Sequence, residues 1–209
     1  MIDVVTTLAG PWADGTRPKD LFALHIAADS AAYVPDIVVG IRDGKGKAQA
    51  GCAELASLVS EQNAEVLWPH CDLFAGNLSA RQPVVRWEAV CVLGNLAALD
   101  AGRELVPCIP DIEAQLTHAS IVLQGHSVRA LGKMARAYPG EAAGILEALT
   151  ASAAGFPGTR VGYLVEVMGA FADDPVVRPA ARAFAEPYVH CGLPSVAAKA
   201  RKAMRALGG

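Results

Sequence analysis

One short apolar string recurs along this chain at a nearly constant spacing. It reads LASL, LGNL, LGKM, MGAF and MRAL, starting at Leu55, Leu93, Leu131, Met168 and Met204. The steps between these starting residues are 38, 38, 37 and 36. Self-similarity at a fixed period of this size is typical of folds that stack one small structural unit on the next. We therefore predict one continuous stack, without a single central core.

Each repeat contains two patterns with helical spacing. The second half reads PVVRWEAVCVLGNLAAL from Pro83 and PSVAAKARKAMRAL from Pro194, which lies 111 residues further on. Proline is tolerated in a first helical turn, so both prolines predict helix starts. The first half carries apolar residues spaced by three and four, which places them on one helix face. These residues are Leu67, Cys71, Phe74 and Leu78, then Leu105, Ile109, Ile112 and Leu116, then Ala142, Leu146, Leu149 and Ala153.

Together these two halves resemble the HEAT repeat, a pair of helices joined by a short turn. The segment LWPHCDLFAGNLSARQPVVRWEAVCVLGNLA, residues 67–97, fits the family outline of LxPxLxxxL followed by VRxxAxxxLGxL. The resemblance covers about residues 32–207 and implies an all-α, right-handed α-α superhelix of the armadillo-like solenoid class. It predicts about five helical-hairpin repeats after an N-terminal partial repeat at 17–29. We assign residues 1–16 to an N-terminal arm or cap and residues 17–209 to one solenoid domain.

The chain departs from the family pattern early in the second helix. HEAT units often carry an arginine there, which pairs with aspartates of the turns and forms a ladder across repeats. Arg86 fits, but the equivalent positions are Ala48, Gln124, Val161 and Ala197. We therefore expect the stacking of the repeats to depend on apolar packing.

Cysteine usage and hydropathy bear on the location. The five cysteines are odd in number and form no CxxC motif, which favours reduced thiols in a cytoplasmic protein. No uninterrupted apolar run approaches the ~18 residues that a membrane span needs. The first ten residues lack the basic and apolar regions of a secretory signal. We expect a cytoplasmic protein without a membrane partner.

Charge is unevenly distributed along the chain. Residues 1–118 carry 8 Lys/Arg and 15 Asp/Glu, a net charge of −7, whereas residues 119–209 carry 10 and 6, a net charge of +4. Ordinary surface variation with a basic C-terminal cap explains this difference; a polarised molecule that steers a partner or packs head to tail is the alternative. The overall charge of −3 argues against broad affinity for nucleic acid.

The resemblance places the candidate binding residues on the second helices, which line the concave side of HEAT arrays. With Val85, Ala89, Leu93 and Leu96 as the buried stripe of one helix, its neighbours Trp87, Glu88 and Asn95 point away from the core. We predict a concave groove whose contact residues are Trp87, Glu88, Asn95, His126, Arg129, Lys133, Tyr163 and Glu166. Aromatic and cationic side chains together suit acidic or planar ligands. An ordinary solvated helix face has the same spacing and remains the alternative.

Two further patterns suggest chemistry. IVLQGHSVRALG, residues 121–132, resembles the nucleophile elbow of α/β-hydrolases around Ser127. However, Arg129 occupies a position that needs a small residue, and the segment is in register with the other second helices. The His70–Cys71 and His190–Cys191 pairs offer too few ligands for zinc, so we expect no metal and no cofactor.

These arguments favour a non-enzymatic protein-binding scaffold, a monomer or weak oligomer, that uses the concave groove for a protein or acidic peptide segment. The alternative is a HEAT-like enzyme or a nucleic-acid-acting protein, similar to the bilin lyases or alkylpurine DNA glycosylases, with its site in the same groove. An open groove with exposed charges would favour the binder, and a closed pocket around a carboxylate or histidine would favour the enzyme.

Overall fold

Helices account for all the regular structure in the part of the chain that the computed structural model describes, residues 3–11 and 15–208. The α-helices are α1 (Val4–Ala9), α2 (Pro18–Asp43), α3 (Gly46–Gln62), α4 (Cys71–Gly76), α5 (Pro83–Leu96), α6 (Ile109–Ala114), α7 (Ile121–Ala137), α8 (Ala142–Ala151), α9 (Val161–Val167), α10 (Arg178–Ala185) and α11 (Pro194–Ala206). The predicted helix starts at Pro83 and Pro194 are confirmed.

Each predicted repeat is a helical hairpin. The first helices α4 and α6 are short and flanked by 3₁₀ turns: α4 lies between turns at Ala64–His70 and Asn77–Ser79, and α6 between Val106–Cys108 and Gln115–Thr117. Pro69 and Pro107 lie in the leading turns, where a missing N–H is tolerated. The second helices are α3, α5, α7, the segment 158–171 that contains α9, and α11. The predicted all-α repeat fold is therefore confirmed.

The long helix α2 contains a break at Asp29. The backbone of Asp29 is non-helical, with φ −156° and ψ 82°, and its Oδ1 accepts the N–H of Ala32 at 3.2 Å. A helix thus ends before Asp29 and another begins there, capped by the aspartate. This break separates the predicted partial repeat at 17–29 from the first helix of the next repeat.

By length and composition alone, α2 also qualifies as a possible membrane span, and 39% of its most apolar window is buried inside the protein. In the structure it packs against α1 and α3. The absence of a membrane partner stays a prediction.

The apolar stripes are buried as predicted. Val85, Ala89, Leu93 and Leu96 are each at most 2% exposed. The stripes of the first helices are buried as well, except at Ala153, which is half-buried. Phe156, three residues later, is 1% exposed and contributes to the core there.

The chain divides into two compact units, residues 1–99 and 100–209. In the first unit α3 packs against α1, α2 and α5, and Val4 and Leu8 of α1 are fully buried. Gly40 allows α2 to approach α3 closely, because a methyl group there would collide with the Cys52 sulfur. In the second unit α7 packs against α6, α8 and α9, and α11 packs against α9 and α10. The boundary at residue 16 and the single domain 17–209 stay predictions.

Polar groups link successive repeats in the second unit. Asp100, 5% exposed, accepts the Tyr138 hydroxyl at 2.6 Å and the N–H groups of Glu104 and Leu105 at 2.8 Å each. Arg103 lies over the Tyr138 ring at 5.7 Å and pairs with Glu141. The absence of the arginine ladder led to the prediction that apolar packing alone stacks the repeats. The structure adds a buried polar link between them, which the sequence did not predict.

Candidate functional site

The first unit holds three of the predicted contact residues, Trp87, Glu88 and Asn95, all on α5. Trp87 and Asn95 are half-buried. The Asn95 Nδ2 donates to the Ser60 Oγ on α3 at 2.7 Å, which ties the amide to the neighbouring repeat. Asn95 thus holds two second helices together within this unit.

Glu88 differs from its prediction. It was expected to point away from the core, but it is only 6% exposed. The Trp87 indole N–H donates to its Oε1 at 3.3 Å, and Ser57 of α3 also hydrogen-bonds the carboxylate. These two donors explain why the side chain turns toward α3 and away from solvent.

The carboxylate of Glu88 is not fully satisfied there. Its Oε2 is buried and has no hydrogen-bond partner among the residues that the structure describes. Burial raises the pKa of Glu88, although Lys19, Ser57 and Trp87 oppose this effect. Burial and the charge of Glu88 also raise the pKa of Glu54 on α3. The first unit therefore contains a buried acid whose charged form is disfavoured.

The second unit brings together several of the remaining contact residues. The Tyr163 ring of α9 lies between two cations: the guanidinium carbon of Arg129 on α7 and the Nζ of Lys199 on α11 are each 5.2 Å from its centroid. Lys199 also pairs with Glu166 at 2.8 Å. One aromatic ring thus joins charged side chains from three successive second helices.

Glycines position this cluster. A Cβ on Gly125 of α7 would contact the Tyr163 ring at 3.6 Å, so the ring packs next to a residue without a side chain. A Cβ on Gly162 would meet the Lys199 side chain at 3.4 Å. Small residues at these points leave room for the tyrosine and the lysine stem to pack along the helices.

His126 and Lys133 lie on the same helix as Arg129. His126 is half-buried and Lys133 is exposed, as is Arg129. Glu166 is also exposed. The predicted contact residues of the second unit are therefore at least partly accessible to a partner.

The repeat period also predicts Lys199 on the concave face, although Lys199 is not among the predicted contact residues. It lies 36 residues after Tyr163, which itself lies 37 residues after His126. Equivalent positions of stacked helices are neighbours, so the period places Lys199 beside Tyr163. The sequence alone did not show that the aliphatic part of Lys199 packs against Gly162 on the adjacent helix.

The hydrolase alternative for Ser127 is wrong. Ser127 lies within the continuous helix α7, is fully buried and donates its hydroxyl to the Leu123 carbonyl at 2.9 Å. A nucleophile elbow requires a sharp turn that exposes the hydroxyl. Over residues 3–11 and 15–208, no three His, Cys, Asp or Glu side chains come together in a way that could hold a metal ion.

The fold is similar to that of several solved repeat proteins, all of them engineered. An engineered protein from a structural genomics consortium matches with a TM-score of 0.69 at 18% identity, covering 100% of both chains. A designed armadillo repeat protein in complex with the peptide (KR)4 matches at 0.68 and 16% identity, and another designed armadillo repeat protein at 0.66 and 16%; each match covers 98% of both chains. This chain has a HEAT/armadillo-like repeat fold. No protein-family model and no curated protein sequence matches it.

At 16 to 18% identity, this likeness establishes the repeat fold and nothing more about the chain. In a HEAT/armadillo-like fold each repeat contacts mainly its neighbours, which agrees with the packing of α9 on both α7 and α11. The aromatic and cationic cluster thus lies on the second helices of successive repeats.

Proposed function

We propose that this chain is a non-enzymatic binding protein that holds an acidic peptide segment of another protein in a groove along α7, α9 and α11. The observation that carries this proposal is the Tyr163 ring between Arg129 and Lys199. Packing against the ring orders both cationic side chains before a partner arrives. A preordered surface loses little conformational entropy on binding.

The cations remain available for carboxylates. Among the ion pairs between described residues, none involves Arg129, and its side chain is exposed. Lys199 pairs with Glu166, but about a third or more of the surface of each side chain is exposed to solvent. An exposed pair of this kind contributes little stability, so a partner carboxylate can displace Glu166.

Charge selects the partner. A designed armadillo protein of similar fold was solved with the basic peptide (KR)4. Residues 119–209 of this chain carry 10 Lys/Arg against 6 Asp/Glu. The opposite sign favours an acidic segment, which charge-assisted hydrogen bonds would hold.

A cytoplasmic location is part of the proposal. None of the five cysteines forms a disulfide bond with another described residue. Burial raises the pKa of Cys52 to about 12, which keeps that thiol protonated at neutral pH. Thiols that are not joined in disulfides suit a reducing compartment.

The test is fluorescence anisotropy with three labelled peptides, (DE)4, (KR)4 and (GS)4. We expect (DE)4 to bind most tightly and to lose affinity between 50 and 300 mM salt, because the contacts are ionic. Arg129→Ala should weaken (DE)4 binding about fivefold or more, a loss of roughly 1 kcal/mol. Tyr163→Phe keeps the ring and should bind like the wild type, whereas Tyr163→Leu should weaken binding.

Arg178→Ala provides the matched control, since it removes an exposed arginine of α10 that lies outside the cluster. The proposal fails if (DE)4 binds no more tightly than (GS)4. It also fails if Arg178→Ala and Arg129→Ala reduce affinity equally, because binding would then reflect net charge alone.

A further inference from the structure

A second cationic site lies between α10 and α11. A cavity of about 360 Å³ opens there, beyond the 3₁₀ turn Glu186–Tyr188 that follows α10. Its polar lining is Arg182, Glu186, His190, Arg201 and Arg205, and its apolar lining is Val189 and Met204. Cavities of roughly 300–1,000 Å³ with an apolar wall and a few convergent polar groups are typical of small-ligand sites.

This cavity is distinct from the Tyr163 cluster. Arg201 and Arg205 are four residues apart on α11, so they lie on one face of that helix. Lys199 precedes Arg201 by two residues, which places it about 200° away around the helix. The two sites therefore use opposite sides of α11.

The charge of the cavity is unbalanced. Three arginines line it, and among the described residues Glu186 is the one acidic member of the lining. No ion pair between described residues involves any of the three arginines. Like charges that lie close together repel each other, and a bound anion would relieve that repulsion.

One arginine is already held in place. The Arg201 Nη1 donates to the Val189 carbonyl at 3.1 Å, which fixes the guanidinium at the cavity wall. Its other N–H groups remain for a ligand, because a guanidinium has five donors. Arg182 is half-buried in the same wall. A partly preordered set of arginines favours an anion that accepts several hydrogen bonds.

We propose that this cavity binds a phosphate monoester carried on an apolar group. Guanidinium groups match the geometry of phosphate oxygens and bind them in pairs of hydrogen bonds. Val189 and Met204 provide the surface for the apolar part. A phosphorylated tyrosine side chain and a small free aryl phosphate share this chemistry.

Phenyl phosphate is the first probe, and its affinity is measured by isothermal titration calorimetry. It should bind at least fivefold more tightly than inorganic phosphate, because only phenyl phosphate reaches the apolar wall. It should also raise the midpoint of thermal unfolding, since a ligand of the folded state stabilises that state. A phosphotyrosyl peptide with neutral flanks then separates the two sources: tighter binding than phenyl phosphate assigns the site to a protein ligand, and equal binding assigns it to a small molecule.

The variants identify the site. Arg205→Ala should weaken phenyl phosphate binding about tenfold. Lys202→Ala removes an exposed cation from the same helix, outside the cavity lining, and should change affinity less than twofold. Arg129→Ala should leave phenyl phosphate binding unchanged, which separates this site from the acidic-peptide site. Equal binding of phenyl phosphate and inorganic phosphate, or equal losses in Arg205→Ala and Lys202→Ala, would overturn the proposal.

Discussion

Glu88 shows what a single residue can reveal that a helical pattern does not. Spacing placed it on the solvent side of α5, but hydrogen bonds from Ser57 and Trp87 hold it in the interface with α3. Trp87 donates to its Oε1, and no residue in the described part of the chain hydrogen-bonds its Oε2. Removing a buried acceptor from water without pairing it costs stability.

Glu88→Gln should therefore stabilise the protein. Because the pKa of Glu88 is raised in the folded state, folding loses stability as pH rises from the ordinary carboxyl range through that raised pKa. At pH 8 the free energy of unfolding of the variant should exceed that of the wild type by about 1–3 kcal/mol, the usual cost of a buried polar group without a partner. The difference should vanish near pH 4, as measured by urea unfolding.

Glu65→Gln is the matched control for this prediction. Glu65 is exposed, so its substitution should change the free energy of unfolding by less than about 0.5 kcal/mol at either pH. A Glu88→Gln variant that is less stable than the wild type at pH 8 would contradict the expected cost of the buried charge.

The contribution of Asp100 to the free energy of unfolding has the opposite pH dependence. Burial alone would raise the pKa of Asp100, but hydrogen bonds from Tyr138, Leu105 and Glu104 outweigh that effect and hold it below its usual range. Asp100→Asn should lower the free energy of unfolding by about 1–3 kcal/mol at pH 7. The loss should shrink as the pH falls below about 4 and through the lowered pKa of Asp100, because the folded wild-type carboxylate becomes protonated only over that range. Urea unfolding at pH 7 and at about pH 2 measures both values; an unchanged loss at the lower pH would exclude the ionised form as its cause.

At the scale of the element, the apolar stripe of α5 decides how the repeats stack. Leu93 is fully buried where α5 packs against α3. Leu93→Ala should lower the free energy of unfolding by about 2–5 kcal/mol, as large-to-small changes in a core do. Leu24→Ala is the control. This leucine of α2 is 85% exposed, so its substitution should change the free energy of unfolding by close to zero. Similar values for the two variants would mean that the buried face is wrongly assigned.

The helices were predictable to different degrees. The second helices follow from the recurring string and from Pro83 and Pro194, because a proline and a stripe at helical spacing mark both the start and the face of a helix. The first helices were predicted as one stripe each, but α4 and α6 are single short helices between 3₁₀ turns. A stripe spaced by three and four fits either helix type, so spacing alone could not separate them.

Side-chain partners were predictable only where the period supplied them. Tyr163 and Lys199 come together because they occupy equivalent positions one repeat apart. The Asp100–Tyr138 link also spans one period, yet it depends on a turn that brings the N–H groups of Glu104 and Leu105 to the same carboxylate. Arg103 in that turn has a φ of 60°, a left-handed conformation that side-chain periodicity does not encode.

At the scale of the whole molecule, the repeat period predicted the fold class but not the use of the surface. Matches over 98% or more of the chain to engineered repeat proteins establish the fold. Trp87, His126 and Lys133 stay predicted contacts. The peptide and phosphate experiments address two different sides of α11, so each can fail without the other.

The separation of buried stripe and exposed cluster has a consequence for how such a chain can diversify. Within the second unit, residues such as Leu131 and Leu164 hold the helices together, while Arg129 and Lys199 keep their charged groups on the surface. If the cluster binds the proposed peptide, mutations of the second kind would alter recognition at little cost to folding. A lineage of this protein could therefore exchange one ligand for another by surface drift alone, with its architecture unchanged.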